Sequence, residues 1–338
     1  MRGLDAVTAA EATIGASARR GSVTRLLRRR AWTLSLALLL AGLLLITKVV
    51  RPTYGAFDLE TLAMGSLPLA LAAVAQAAVV IAGGIDLSVG SLMALSNVTA
   101  AVLMEHASDQ AAVGIAIGVL LLGIVAGTCN GLLVVLTRVP DIVVTLAMLY
   151  VWGGVALLIL PSPGGGAPSW FQDLVTGGVL VDWLPRALVA LLLVVGLVWI
   201  PLQRSRLGLS LYAVGSDRLA AFRSGVPVDR TKVLAYALSG FFSACGGLAL
   251  TASTGIGTPT VGSYTLAGVA AIVLGGVNLA GGRGGVLGPI LAAYLLTLIR
   301  ADLVFLGVDP NFSTMIQGGI MVLVVMVAGL LLYREQHR

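Results

Sequence analysis

Residues 61–105 read TLAMGSLPLALAAVAQAAVVIAGGIDLSVGSLMALSNVTAAVLME, and Asp86 is the one charge inside this run. As a single helix rising about 1.5 Å per residue it would be about twice as long as the roughly 30 Å hydrocarbon core of a bilayer. It must break. The break is written as Gly83-Gly84-Ile85-Asp86-Leu87-Ser88-Val89-Gly90-Ser91, where glycines permit a sharp turn and Asp86 or Ser88 is placed to cap the helix that follows. Two apolar helices joined through such an interruption set the class of fold: an all-α integral membrane protein.

The rest of the chain agrees. Hydrophobic residues make up 58% of the 338 and charged residues 11%, against roughly 25% charged in an average soluble domain. Runs long enough for spans of about 20 residues occur near 31–47, 61–82, 87–105, 111–136, 142–160, 185–202, 231–252, 265–282, 286–299 and 313–332, about ten transmembrane helices. Glycine, at 43 residues, is spread through them with alanine. Small residues let helix backbones approach closely in lipid, which predicts a compact bundle.

Positive residues stay on the cytoplasmic side of a membrane. With the N-terminus inside, 17 Lys and Arg fall on that side, and only Lys48, Arg51, Arg186 and Arg300 fall outside. The bias predicts an even number of spans with both termini cytoplasmic, and it accounts for most of the net charge of +6. Residues 1–30, rich in Arg, Ala, Ser and Thr, read as a cytoplasmic tail before an uncleaved first span, because the run that follows is too long for a signal-peptide core. A transmembrane domain then covers 31–334, with a periplasmic loop at 161–184, rich in Pro and Gly and carrying Trp170 and Trp183 at the membrane interface.

The opening of the break recurs in Gly275-Gly276-Val277-Asn278-Leu279-Ala280-Gly281-Gly282-Arg283, with Asn in the place of Asp. The recurrence points to an internal duplication of the kind from which transporters are often built. The span count, however, separates the two breaks by six helices, whereas an inverted five-plus-five repeat would separate them by five. A pathway or gating element and a tight cytoplasmic turn are equally good readings of each break.

Residues 203–232 form a polar, basic island between apolar spans. Ser216 is placed as N-cap, Asp217 in the first turn, Arg223 near the C-terminal end and Gly225 in the left-handed position beyond it, with Pro227 as a stop. That predicts a helix of about two turns with Leu219 and Phe222 on one face and Arg218 beside them. Such a helix suits a groove on a soluble partner; an amphipathic helix resting on lipid headgroups is the rival reading.

Several functions are disfavoured. A P-loop ends in Gly-Lys-Ser/Thr, yet the two lysines, Lys48 and Lys232, both follow threonine. Any ATP-driven work therefore needs a motor on another polypeptide. A soluble basic face with interleaved aromatics, as nucleic-acid binding requires, is missing. Cys129 and Cys245 read as small packing residues within spans, without a metal-ligand cluster. His106 and His337 lie in a loop and in the tail and join no Ser or metal motif, which argues against an intramembrane enzyme.

Taken together, Gly83 to Ser91, the segment Ala213-Val214-Gly215-Ser216-Asp217 through Ser224-Gly225-Val226-Pro227-Val228, and Ala271-Ile272-Val273-Leu274-Gly275-Gly276 through Gly284 closely resemble the permease subunits of bacterial ABC importers for ribose, xylose, arabinose and related solutes. The match runs in order from about residue 60 to the C-terminus and leaves out the N-terminal tail. It implies a type II importer architecture in the bacterial cytoplasmic (inner) membrane. Two permease subunits, as a homo- or heterodimer, would meet around a central path. Cytoplasmic ABC ATPase subunits using ATP and Mg2+ would bind the inner loops, and a periplasmic or lipid-anchored solute-binding protein would deliver a monosaccharide or related small polar solute.

By the same resemblance Asp217, Arg218, Leu219, Ala220, Ala221, Phe222 and Gly225 match the ATPase-coupling region, a cytoplasmic coupling loop, and the permease performs no covalent chemistry itself. Asp86, Ser88, Asn97, Asn130 and Asn278 are polar groups able to face a water-filled translocation path or gate, since polar groups in lipid usually turn inward; capping or interhelical hydrogen bonding is the alternative for each. Lys48, Arg51 and Arg300 stand where a binding protein would dock, with interfacial snorkelling as the rival reading. An ion-coupled secondary transporter remains the alternative function, for which Asp86 is the strong intramembrane candidate.

Overall fold

In lipid every backbone N–H and C=O must find its partner within its own segment, so long apolar runs become helices. The computed structural model describes residues 31–309 except 182, 261 and 262, together with 311–313, 315–319, 322 and 326. Among the described residues, seven helices are long and apolar enough to cross a membrane: α1 (Ala31–Val50), α2 (Ala56–Ile81), α4 (Asp109–Thr137), α5 (Asp141–Ile159), α7 (Arg186–Arg204), α10 (Val228–Thr254) and α12 (Leu287–Phe305). Two apolar helices are shorter, α3 (Val89–Met104) and α11 (Ser263–Leu274). Short helices α6 (Ser169–Gln172), α8 (Arg206–Ser216) and α9 (Arg218–Arg223) complete the set. The chain is an all-α integral membrane protein. The tail at 1–30 and most of the tenth expected span, 313–332, lie outside the described residues.

The expected span at 265–282 needs correction, because α11 ends at Leu274. Gly276, with φ +79°, turns the chain there, and the Trp32 indole from the start of α1 donates to the Leu274 carbonyl at 2.8 Å. Twelve residues rise only about 18 Å, well short of a hydrocarbon core.

α2 is apolar on all sides and is enclosed accordingly, its residues from Ser66 to Ile81 all buried among α10, α12, α11 and α7. The other axis of the core is the crossing of α4 and α10. Gly123, Gly127 and Gly131 recur every fourth residue along α4 and meet Gly240, Tyr236 and Val233 of α10 at backbone distance, the small-residue approach that packing in lipid favours. Leucines and valines on the outer faces of α4, α5 and α7, such as Leu136, Leu158 and Leu197, remain exposed.

Both breaks lie at one end of the bundle, and they close on each other. After α2, Gly83 N donates to Val80 O and Gly84 N to Val79 O; after α11, Gly276 N donates to Val273 O and Val277 N to Ile272 O. These are the same helix-ending bonds, shifted by one residue against the sequence repeat. Six apolar helices, α3, α4, α5, α7, α10 and α11, run from the first break to the second. The contact between the two breaks puts them at the same face of the bundle.

Candidate functional site

The island at 203–232 folds as two helices and the start of a third. Asp217 is extended (φ −159°, ψ 107°), ends α8 and caps α9, its Oδ1 accepting from Leu219 N and Ala220 N at 2.9 Å each. The N-cap is therefore Asp217 and not Ser216, whose hydroxyl turns back to the Tyr212 carbonyl at 2.8 Å. Gly225 takes φ +80°, the left-handed position expected of it.

α9 presents Leu219 and Phe222, exposed at 58% and 69%, while Ala221 faces inward against Val214 and Val228. Ala220 is exposed on the outer side. A groove of about 560 Å³ runs between α9 and the start of α10, lined by Arg218, Leu219, Phe222, Val226, Pro227 and Val228. Arg218 pairs with Asp229 across it at 3.6 Å. Apolar anchors rimmed by charges are what an interface carries at its centre.

α8 reaches from this surface to both breaks. Gly215 lies so close to the Ile81 carbonyl oxygen and Gly282 N that a methyl group there would collide with them, and Gly281 packs on Gly83. The end of the island and the two interrupted helices are one packed unit.

Beneath it is a buried polar network. Asp86 is fully enclosed; its Oδ1 accepts from Ser88 N at 2.9 Å and Ser88 Oγ at 2.6 Å, and its Oδ2 from Ser239 Oγ at 2.8 Å. Gln76 Nε2 donates to the Asp86 carbonyl at 2.7 Å. Asn130 Nδ2 donates to Ser88 Oγ at 2.8 Å, and Asn130 Oδ1 accepts from Trp152 Nε1 at 3.0 Å. Lys232 Nζ lies 2.9 and 3.0 Å from the two Asp141 oxygens. The Tyr236 hydroxyl lies 3.0 Å from Asp141 Oδ2 and 3.2 Å from the Ile85 carbonyl, its one proton shared between two acceptors. A carboxylate withdrawn from water needs this many donors. The arrangement can hold or release the α2–α3 break; what these groups exchange is hydrogen bonds.

The other expected path residues lie apart. Asn97 is buried between α3 and the far end of α10, donating to Thr251 Oγ1 at 2.8 Å and accepting from Thr258 N. Asn278 shapes the second break, accepting from Ala280 N at 3.0 Å, as Asp86 does from Ser88 N in the first. Lys48 donates to the Pro52 and Tyr54 carbonyls, and Arg51 pairs with Asp58 at 3.4 Å and stands over the Phe305 ring. Arg300 is exposed. Cys129 and Cys245 are free thiols. At the end bearing Lys48 and Arg51, residues 161–181 fold onto the bundle, Gly164 pairing with Gly257 and Gly166 N donating to the Ala101 carbonyl at 3.0 Å, while Arg186 Nη1 donates to the Asp173 carbonyl at 2.9 Å.

Sequence reasoning passed over Asp141, Lys232, Tyr236 and Ser239. The signal was present for three of them: Lys232, Tyr236 and Ser239 stand at i, i+4 and i+7, one face of α10. Asp141 carried none beyond being a carboxylate at the mouth of an apolar run.

The family model "Branched-chain amino acid transport system / permease component" matches residues 59–325. The chain is similar to the Autoinducer 2 import system permease protein LsrD of Salmonella typhimurium, 30% identical over 326 residues, covering 91% of this chain and 95% of that protein. The counterpart from Yersinia enterocolitica is 31% identical over 327 residues, with 91% and 95% covered, and that from Photorhabdus temperata 29% identical over 327 residues, with 92% and 95% covered. No solved structure matches.

Proposed function

The chain belongs to the branched-chain amino acid transport system permease family, and from that premise we propose that it is the membrane subunit of an ATP-binding cassette importer that moves a monosaccharide or related small polar solute into the cytoplasm. As a permease it is a multi-pass transport component of the inner membrane. Relatives whose name assigns them to autoinducer 2 import direct the proposal toward a sugar-like solute, with autoinducer 2 the first to try.

One observation carries the reading. The capped helix α9 holds two large apolar side chains out of the bundle beside a groove, and the helix preceding it packs through Gly215 against both interrupted helices. An ATPase seated on Leu219 and Phe222 would act on the α2 and α11 breaks through one packed unit. Because interfaces and packed cores switch between discrete arrangements, a small displacement at α9 is enough to change which side of the membrane is open. In this reading ATP and Mg2+ belong to the partner ATPases, a solute-binding protein presents cargo at the end bearing Lys48, Arg51 and Arg300, a second permease subunit completes the path, and both termini are cytoplasmic.

Purification of the intact complex, followed by mass spectrometry of the solute held by its binding protein, identifies the cargo. Proteoliposomes carrying the complex then take up that solute only with ATP on the ATPase side. Accumulation by this chain alone on an ion gradient overturns the proposal.

A further inference from the structure

Resting on the importer reading, we infer that Lys232, Asp141 and Tyr236 are positioning residues that tie the α2–α3 break to α10, so that movement of α9 reaches the break through hydrogen bonds as well as through helix packing. α10 begins at Val228, only three residues beyond Gly225, and continues directly from the α9 turn. Its first turns place Lys232, Tyr236 and Ser239 on one face. That face bonds the break at two points, the Ile85 carbonyl through the Tyr236 hydroxyl and Asp86 Oδ2 through Ser239 Oγ, while Asp141 at the start of α5 holds both Lys232 Nζ and the same Tyr236 hydroxyl.

Stability does not explain the choice of these groups. A buried ion pair contributes little net stability relative to well-packed apolar residues of the same size, and α10 is otherwise free to be apolar here. What the groups add is direction. Tyr236 has two acceptors and one proton, so a small shift of α10 decides whether the hydroxyl serves Asp141 on α5 or Ile85 in the break. The packing of Gly215 on Ile81 fixes the end of α2, while the network fixes residues 85–88 beyond it.

The test uses the assembled transporter, with amide hydrogen exchange measured without nucleotide and after trapping with ATP and vanadate. In the unaltered complex, amides at 218–226 and at 86–90 both change exchange rate on trapping, by about fivefold or more. Tyr236→Phe, which removes one oxygen and keeps the ring, retains the response at 218–226 and reduces it at 86–90, where the Ser239 bond to Asp86 and the helix packing remain. The double variant Asp141→Leu with Lys232→Met, which replaces the pair by apolar groups, does the same. A full response at 86–90 in both variants overturns this inference alone, as does an unaltered complex whose 86–90 segment never responds. No response at 218–226 in the unaltered complex overturns the importer reading, and this inference with it.

Discussion

The Gly282 N–H donates to the Ile81 carbonyl at 2.9 Å, so the last residue of one interrupted helix is bonded to the break that follows the other. Gly215 lies against both partners of this bond. The end of the polar island thus sits where the two interruptions meet, and a substitution there tests whether the three segments move together.

Gly215→Ala places a methyl group on the Ile81 carbonyl oxygen and 2.6 Å from Gly282 N. Backbone atoms lie on both sides and cannot swing away as a side chain would. The expected cost is about 1–3 kcal/mol, the range for overpacking a tight site, read as a lower thermal unfolding midpoint of the purified protein in detergent.

Asp217→Ala removes the acceptor for Leu219 N and Ala220 N in a helix of only six residues. The cap contributes about 1 kcal/mol, enough to fray α9 while leaving the spans intact. Retention of the ATPase subunit on affinity-purified permease falls, and Asp217→Asn, which keeps an acceptor oxygen, restores most of it.

A Cβ added at Gly225 meets no atom within 4 Å, so the expected effect of Gly225→Val comes from the backbone. A β-branched residue held at φ +80° costs about 1–2 kcal/mol. ATPase association weakens, and Gly225→Asn is milder because asparagine tolerates the left-handed region better. Equal behaviour of Val and Asn variants in the same pull-down would count against backbone strain as the cause.

Leu219→Ala combined with Phe222→Ala removes exposed side chains that support little of the fold, so the unfolding midpoint hardly moves. Surface substitutions of this kind usually stay within about 0.5 kcal/mol. Affinity for the ATPase, measured by titration of the two purified components, drops by about tenfold or more, the size of loss at interface anchors. An unchanged affinity would move the docking surface elsewhere.

Asp141→Asn leaves the Lys232 ammonium enclosed without its counter-charge, and the pair is mostly shielded, with side-chain exposures of 11% and 16%. Breaking a buried pair on one side costs about 3–5 kcal/mol, while replacing both partners by apolar groups is close to neutral. The single variant therefore unfolds at a clearly lower temperature than the double Asp141→Leu, Lys232→Met variant. A double variant as unstable as the single one would show that the pair itself, and not the orphaned charge, sustains this corner.

What the sequence determined by itself was everything that depends on local chemistry. Apolar length gave the long helices but not the early end of α11 at Leu274; Gly83 and Gly275-Gly276 gave the interruptions, and the Asp217 to Gly225 pattern gave a short capped helix, because hydrogen bonding within a segment and left-handed turns are decided within a few residues. The tertiary structure alone decided which distant groups meet. Asp141 joins Lys232 and Tyr236 across 91 and 95 residues, and Gly282 joins Ile81 across a separation more than twice as long. Contacts of this kind follow from how helices pack, which no window along the chain contains. The same reason moved the cap from Ser216 to Asp217, since the packing of α8 set where one helix ended and the next could start.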